Sequence, residues 1–373
     1  MWETFAMLEY SESGLLQRAR LELLQMLPEH FELSDAVIDE HGPVDAPDAL
    51  WQLREQNTGY GLILVETKMS FTPRDVARLR DRLSGPMLRL MRNPTVLVVS
   101  TWLSPRTRAL LEEGGYSYLD LTGNVRLRVD RPAVYIRLQG ADRDPTPHRS
   151  HAPVGLQGPK ARRLLRLLAE TQPPYRLTAL AAAGGLTAGY VSKMLHSLDE
   201  QALVTRNRRG MVEDVDWQGL LLAGAQRYNL LRNNEPNTFI SPEGAAALYA
   251  RMQDANFPLD AVVTGSFSAV DIAAVAAPTQ LVLYVDNPHQ MQRFGRLLPT
   301  DQGADVVLLR PEDPAQVEGL RTVNGLRHVA LTQLVLDCLS GNGRLPEEGQ
   351  AVMEWMRENE SEWRRPDLPT LAG

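Results

Sequence analysis

Residues 159–212 carry three helical periods and a basic hairpin in close succession, and no other stretch restricts the fold as much. The first period, PKARRLLRLLAETQ at 159–172, sets Leu164, Leu165, Leu167 and Leu168 apart from Lys160, Arg162, Arg163 and Arg166. The second, LTALAAAGG at 177–185, ends on a glycine pair that reads as a tight turn. Thr178 is its expected N-cap, because a threonine hydroxyl can accept from the free amides of a first turn. The third runs from Thr187 to Gln201, again with a threonine cap. Val191, Leu195 and Leu198 form its buried face, and Tyr190, Ser192, Lys193 and His196 fall elsewhere. Residues 202–215, ALVTRNRRGMVEDV, read as a two-stranded hairpin with residues 207–210 at its tip.

Charge isolates the same stretch. The chain has 373 residues and a net charge of -7, which taken whole argues against DNA, since affinity for DNA comes largely from phosphate neutralisation. By segment the sum is uneven: -3 for residues 1–155, +6 for residues 156–212 and -10 for residues 213–373. The nine basic residues of the middle segment supply the electrostatic term that the rest of the chain lacks.

A helix–turn–helix with a glycine turn, followed by a basic hairpin, resembles the winged helix-turn-helix fold. Residues 186–204, LTAGYVSKMLHSLDEQALV, resemble the recognition helix and following strand of bacterial winged-helix regulators. The resemblance implies a third helix in the major groove, with Thr187, Gly189, Tyr190, Ser192 and Lys193 nearest bases or phosphates. Arg206, Arg208 and Arg209 on the wing, with Arg176, would meet phosphate or the minor groove. Tyr190 is divided between core and DNA, and His196 is expected to pack or cap. The plain alternative is a winged helix used for protein contacts, its arginines a solvated face.

Four prolines in residues 141–159 mark an extended connector. The sequence therefore divides into an α/β unit at 1–140, a linker at 141–157, the winged helix at 158–214 and an acidic α/β region at 220–373. In the first unit, residues 11–27 place Leu15, Leu16, Ala19, Leu23 and Met26 on one helical face, which Pro28 ends. A strand near 30–39, a hairpin of 49–55 and 61–67, a helix at 72–91 and a strand at 95–100 follow. A helix from Ser104 and three strand-like segments around Gly123 and Asn124 complete it.

Within that hairpin, Glu66 and Lys68 lie two residues apart and share a strand face, and Asp48 begins the paired strand. Two carboxylates beside a lysine can hold Mg²⁺ and activate a water. The arrangement resembles the PD-(D/E)xK nuclease core, a restriction-endonuclease-like α/β fold, and that resemblance adds Glu22 as an assisting carboxylate. Were the site active, Asp48 and Glu66 would be the metal ligands. The alternatives are a non-catalytic core of the same fold and a solvated strand end with a local ion pair. No second acid flanks Glu66 on its strand, so no catalytic residue, metal or cofactor is expected.

In the acidic region, Gly265 and Ser266 precede a helix and a strand that ends near Asp286, which resembles the nucleotidyltransferase fold. Only one carboxylate stands at that strand end, too few for a two-metal mechanism. Acidic surface here suits packing against other domains, dimerisation or a protein partner.

Three stretches together resemble the AbiEi-like family, winged-helix antitoxins of type IV toxin–antitoxin systems and transcriptional regulators. They are LSPRTRALLEEGGYSYLDLTGNVRL at 103–127, the winged helix, and the pair TGSFSA and LVLYVD with residues 331–356. The resemblance implies binding to double-stranded DNA at the chain's own promoter, repression of it, and antitoxin action through the C-terminal region; a homodimer, and a toxin or other protein partner of that region, are expected beside it. The long N-terminal unit departs from the shorter antitoxins, which begin at the winged helix. The expected class is α/β multidomain: a nuclease-like unit, a central winged helix and a nucleotidyltransferase-like unit. One cysteine, Cys338, leaves no disulfide framework. No apolar run approaches the roughly 20 residues of a membrane span, and Met1-Trp2-Glu3-Thr4 does not begin a signal peptide, so a cytoplasmic protein is expected.

Overall fold

The structure, a computed structural model, describes residues 11–36, 47–55, 59–83, 94–142, 145, 156–253 and 260–369. The expected linker, the turn at 56–58 and the end of the helix expected over 72–91 lie largely or wholly outside these. The chain falls into two compact units, dividing between residues 152 and 153.

The first unit is a seven-stranded mixed sheet with strands in sequence order. Helix α1 (Glu12–Met26) starts where the Ser11 hydroxyl accepts from the Gly14 amide, and it buries Leu15, Ala19 and Leu23 on the sheet. Strands β1 (Phe31–Asp35), β2 (Ala49–Glu55) and β3 (Gly59–Thr67) are antiparallel. Helix α2 (Pro73–Leu83) crosses over to β4 (Thr95–Ser100), parallel to β3, and α3 (Pro105–Glu113) crosses to β5 (Ser117–Asp120), parallel to β4. The antiparallel strands β6 (Val125–Val129) and β7 (Val134–Leu138) close the order. Side-chain alternation splits the core in two. Val65, Leu97, Val99 and Leu119 pack under α1, while Leu64, Val96, Val98 and Tyr118 pack with Leu79 and Leu111 of α2 and α3.

The second unit begins with three helices, α4 (Pro159–Glu170), α5 (Leu177–Ala183) and α6 (Ala188–Glu200), and the hairpin β8 (Val204–Arg206) and β9 (Val212–Val215). Tyr175 and Val212 exchange both backbone hydrogen bonds, an isolated bridge that ties the chain before α5 to the two-stranded wing. The cap expected at Thr178 falls differently: α5 starts at Leu177 with Arg176 as N-cap and no side-chain cap bond. Thr178 is already helical, where its hydroxyl cannot cap the first amides.

Helix α7 (Trp217–Ala225) leads into a second seven-stranded mixed sheet. Its central strands are β11 (Ala261–Thr264), β12 (Leu281–Val285) and β14 (Val306–Leu309), where numbering passes β10 (Pro236–Ile240) and β13 (Leu298–Pro299) and ends with β15 (Arg321–Val323) and β16 (Leu326–His328). Helices α8 (Ala245–Met252) and α10 (Pro288–Gly295), with the single turn α9 (Ser266–Ala269) between them, supply Leu248, Met252, Met291 and Phe267 to the core on one sheet face. On the other, Val262, Val282, Tyr284, Val307 and Leu309 join a core continuous with α4, α6, α7, α11 (Leu331–Leu339) and α12 (Leu345–Glu358). The winged helix and the acidic region thus share one hydrophobic core. No helix among the described residues is long and apolar enough to cross a membrane.

Candidate nucleic-acid interface

Helix α6 is held by one face and open on the other. The Thr187 hydroxyl accepts from the Tyr190 amide, and Val191, Met194, Leu195 and Leu198 are buried. Their spacing leaves Gly189, Ser192, Lys193 and His196 as an exposed stripe along the far side. The turn that feeds this helix is set by Gly185, whose φ of 59° lies in the left-handed region that a side chain resists. The Leu186 amide closes it on the Ala181 carbonyl at 2.9 Å.

The wing is shaped by Asn207. Its side-chain oxygen accepts from the Arg209 and Met211 amides at 2.9 and 3.1 Å, and its amide nitrogen donates to Glu213 at 2.8 Å. That geometry turns Arg208 and Arg209 outward, both exposed. Arg176 is exposed at the start of α5, beside the Tyr175 bridge to the wing. Arg206 is different. It donates to the buried Asp199 carboxylate of α6 at 3.2 Å, so it fixes the wing to the helix. Tyr190 is half-buried against the core, and desolvation raises its phenol pKa.

Not all of the positive charge of this segment faces solvent. Of the nine basic residues assigned to DNA, Arg162, Arg163 and Arg166 face the acidic region. Arg162 pairs with Glu312 at 2.5 Å and lies over the Tyr228 ring, and Arg163 pairs with Asp313 at 3.0 Å. Arg166 donates to Glu170, Thr332 and the carbonyls of Ala315 and Glu318. Periodicity had placed these arginines on the polar side of α4 without showing that the acidic region covers that side. Lys160, Arg176, Lys193, Arg208 and Arg209 remain exposed, with no ion pair among the described residues. His196, expected to pack or cap, instead stands exposed on the stripe, 3.4 Å from Glu200. Its position four residues after Ser192 and three after Lys193 was the available signal.

In the first unit, Asp48, Lys68 and Glu22 of the nuclease-like reading each have a different partner. Asp48 accepts from the Thr67 amide at 2.6 Å and the Thr67 hydroxyl at 3.0 Å. Glu66 is buried at the end of β3. Lys68 donates to Asp75 at 2.7 Å; burial pushes that carboxyl up, but hydrogen bonds from Lys68 and Thr72 outweigh it and hold it below the usual range. Glu22 pairs with Arg18 at 3.6 Å, and burial raises its carboxyl, with nearby Asp120 adding to the rise. No group of three or more His, Cys, Asp or Glu side chains arranged to hold a metal ion occurs among the described residues. In the second unit, the Ser266 hydroxyl donates to Glu348 at 2.7 Å, and Asp286 is exposed just past β12.

Residues 160–208 match the model of the IclR helix-turn-helix domain. The match covers α4 to the wing tip, and it supports a DNA-binding transcription regulator of the winged helix-turn-helix kind. Comparison with curated proteins and with solved structures returned no match.

Proposed function

We propose that this chain is a sequence-specific transcriptional repressor that binds double-stranded DNA at its own promoter through α6 and the wing. The observation that carries the reading is the split of α6: one face is locked in the core, and Gly189, Ser192, Lys193 and His196 stand open within the segment that matches a DNA-binding domain. Thr187 and Ser192 would contact base edges or phosphates; Lys193, Arg176, Arg208 and Arg209 would meet phosphates or the minor groove. Arg206 would act by holding the wing against α6, and Tyr190 by bracing the first turn. The reading requires no metal or cofactor. A homodimer would place two such helices on half-sites about 34 Å apart, so the protected site should be a palindrome.

Binding of the purified chain to its own upstream DNA, followed by fluorescence anisotropy across salt, tests this. The reading predicts a linear fall of log K with log salt and tighter binding than to random duplex. Absence of binding at low salt, or a flat salt dependence, would overturn it.

A further inference from the structure

We propose that the outer face of the β6–β7 hairpin in the first unit is a second docking surface for double-stranded DNA. Val125, Leu127, Val129 and Val134 point into the core, so the alternate residues form the opposite face. Register sets Arg126 directly opposite Arg137 and Arg128 opposite Tyr135. Arg128, Tyr135 and Arg137 are exposed, as is Arg131 in the connecting turn. Helix α3 covers Tyr118 on the neighbouring strand. Beyond it, Arg126, Arg128, Asp130 and Tyr135 border a shallow concavity of about 550 Å³.

Two arginines facing each other across a strand pair are unfavourable for the sheet. Glu112 relieves this partly, pairing with Arg137 at 3.3 Å, and Arg126 donates to the Tyr116 carbonyl at 2.7 Å. Asp130 lies 3.4 Å from Arg128, both well exposed, a pairing that contributes little and yields readily to a phosphate. Arg126, Arg128 and Arg137 against Asp130 and Glu112 leave this face positive within a segment whose own sum is -3.

Charge therefore selects a polyanion, and geometry selects a duplex. The strand register sets Arg126, Arg128 and Arg137 at regular spacing on one face, and guanidinium forks pair well with phosphate oxygens. A single exposed tyrosine is too few for the succession of stacking platforms that single strands use.

The test uses the full chain with labelled random-sequence duplex and the matching single strand. Arg128→Ala/Arg137→Ala should weaken duplex binding about five- to tenfold at low salt and reduce the salt slope by about two. Arg128→Ala alone, at a site with no packing role, should reduce it by about one and guards against a folding defect in the double variant. Wild-type affinity and slope in both variants would overturn the proposal, even if Arg208→Ala/Arg209→Ala weakens binding and so upholds the winged-helix reading. The converse pattern would uphold this surface and overturn that reading. Tighter binding of the single strand, lost in the same variants, would also overturn the duplex assignment.

Discussion

The Arg162 guanidinium donates to the Glu312 carboxylate at 2.5 Å, joining the first helix of the winged helix to the segment that follows β14. Arg162 is almost fully buried, and the neighbouring Glu312 amide donates to Asn234 at 3.1 Å. The reading head is thereby tied to the acidic region by a buried charge pair as well as by a shared core.

Removing one partner of such a pair leaves the other desolvated and uncompensated. Arg162→Ala should lower the unfolding free energy of the second unit by about 2–3 kcal/mol in urea denaturation. Glu312→Gln should cost less, because Glu312 is partly exposed and keeps an acceptor. The double variant should be less destabilised than the sum of the two.

A second buried group makes stability depend on pH. Asp337 is fully buried on α11 and accepts from Tyr228, Tyr284, Gln333 and Thr264. Burial outweighs these bonds and raises its pKa from 3.8 to about 6. A folded-state pKa above the unfolded one favours the protonated form. The stabilisation is therefore complete below the unfolded value and is lost as pH rises to about 6. Asp337→Asn should flatten this part of the stability profile, measured by denaturation from about pH 4 to about pH 7.

Gly189 sits in the first turn of α6, and a Cβ there would meet nothing within 4 Å. Glycine is a poor helix former, and no neighbour in the chain requires it. Gly189→Ala should stabilise the protein by about 0.5–1 kcal/mol. If DNA approaches this turn closely, the same change should weaken operator binding about three- to tenfold. A variant that is more stable and binds equally well would show that the space is not used.

Arg208 and Arg209 are exposed at the wing tip that Asn207 shapes. Arg208→Ala/Arg209→Ala should weaken operator and random duplex about equally, and reduce the salt slope by about one to two. The melting temperature should stay unchanged.

Asp48 satisfies the Thr67 amide and hydroxyl at the end of β3. Asp48→Ala leaves both without that acceptor and should destabilise the first unit by about 1–3 kcal/mol. Thermal melts of the full chain should show the loss, with operator binding unchanged.

Local chemistry and periodicity were enough to read α6, its Thr187 cap, the glycine turn and the wing with its Asn207 tip. These depend on residues within one or two turns of each other, so a single segment of chain carries the whole cause. The strands of the first unit were legible for the same reason, from alternation and turn residues. Thr178 was misread as a cap because a helix can begin one residue earlier than its best capping side chain.

The chain by itself determined where positive charge is concentrated, but not which of those charges face solvent. Arg162, Arg163 and Arg166 are basic residues on a helix like any other until Glu312, Asp313 and Glu318, some 150 residues away, fold against them. Asp48, Glu66 and Lys68 share a short stretch of hairpin, yet Thr67 and Asp75 take up two of them. Coulombic and hydrogen-bonding partners are set by distance in space, and only the tertiary fold supplies that distance. Five exposed cations on the winged helix are what the fold leaves of the nine read from the sequence.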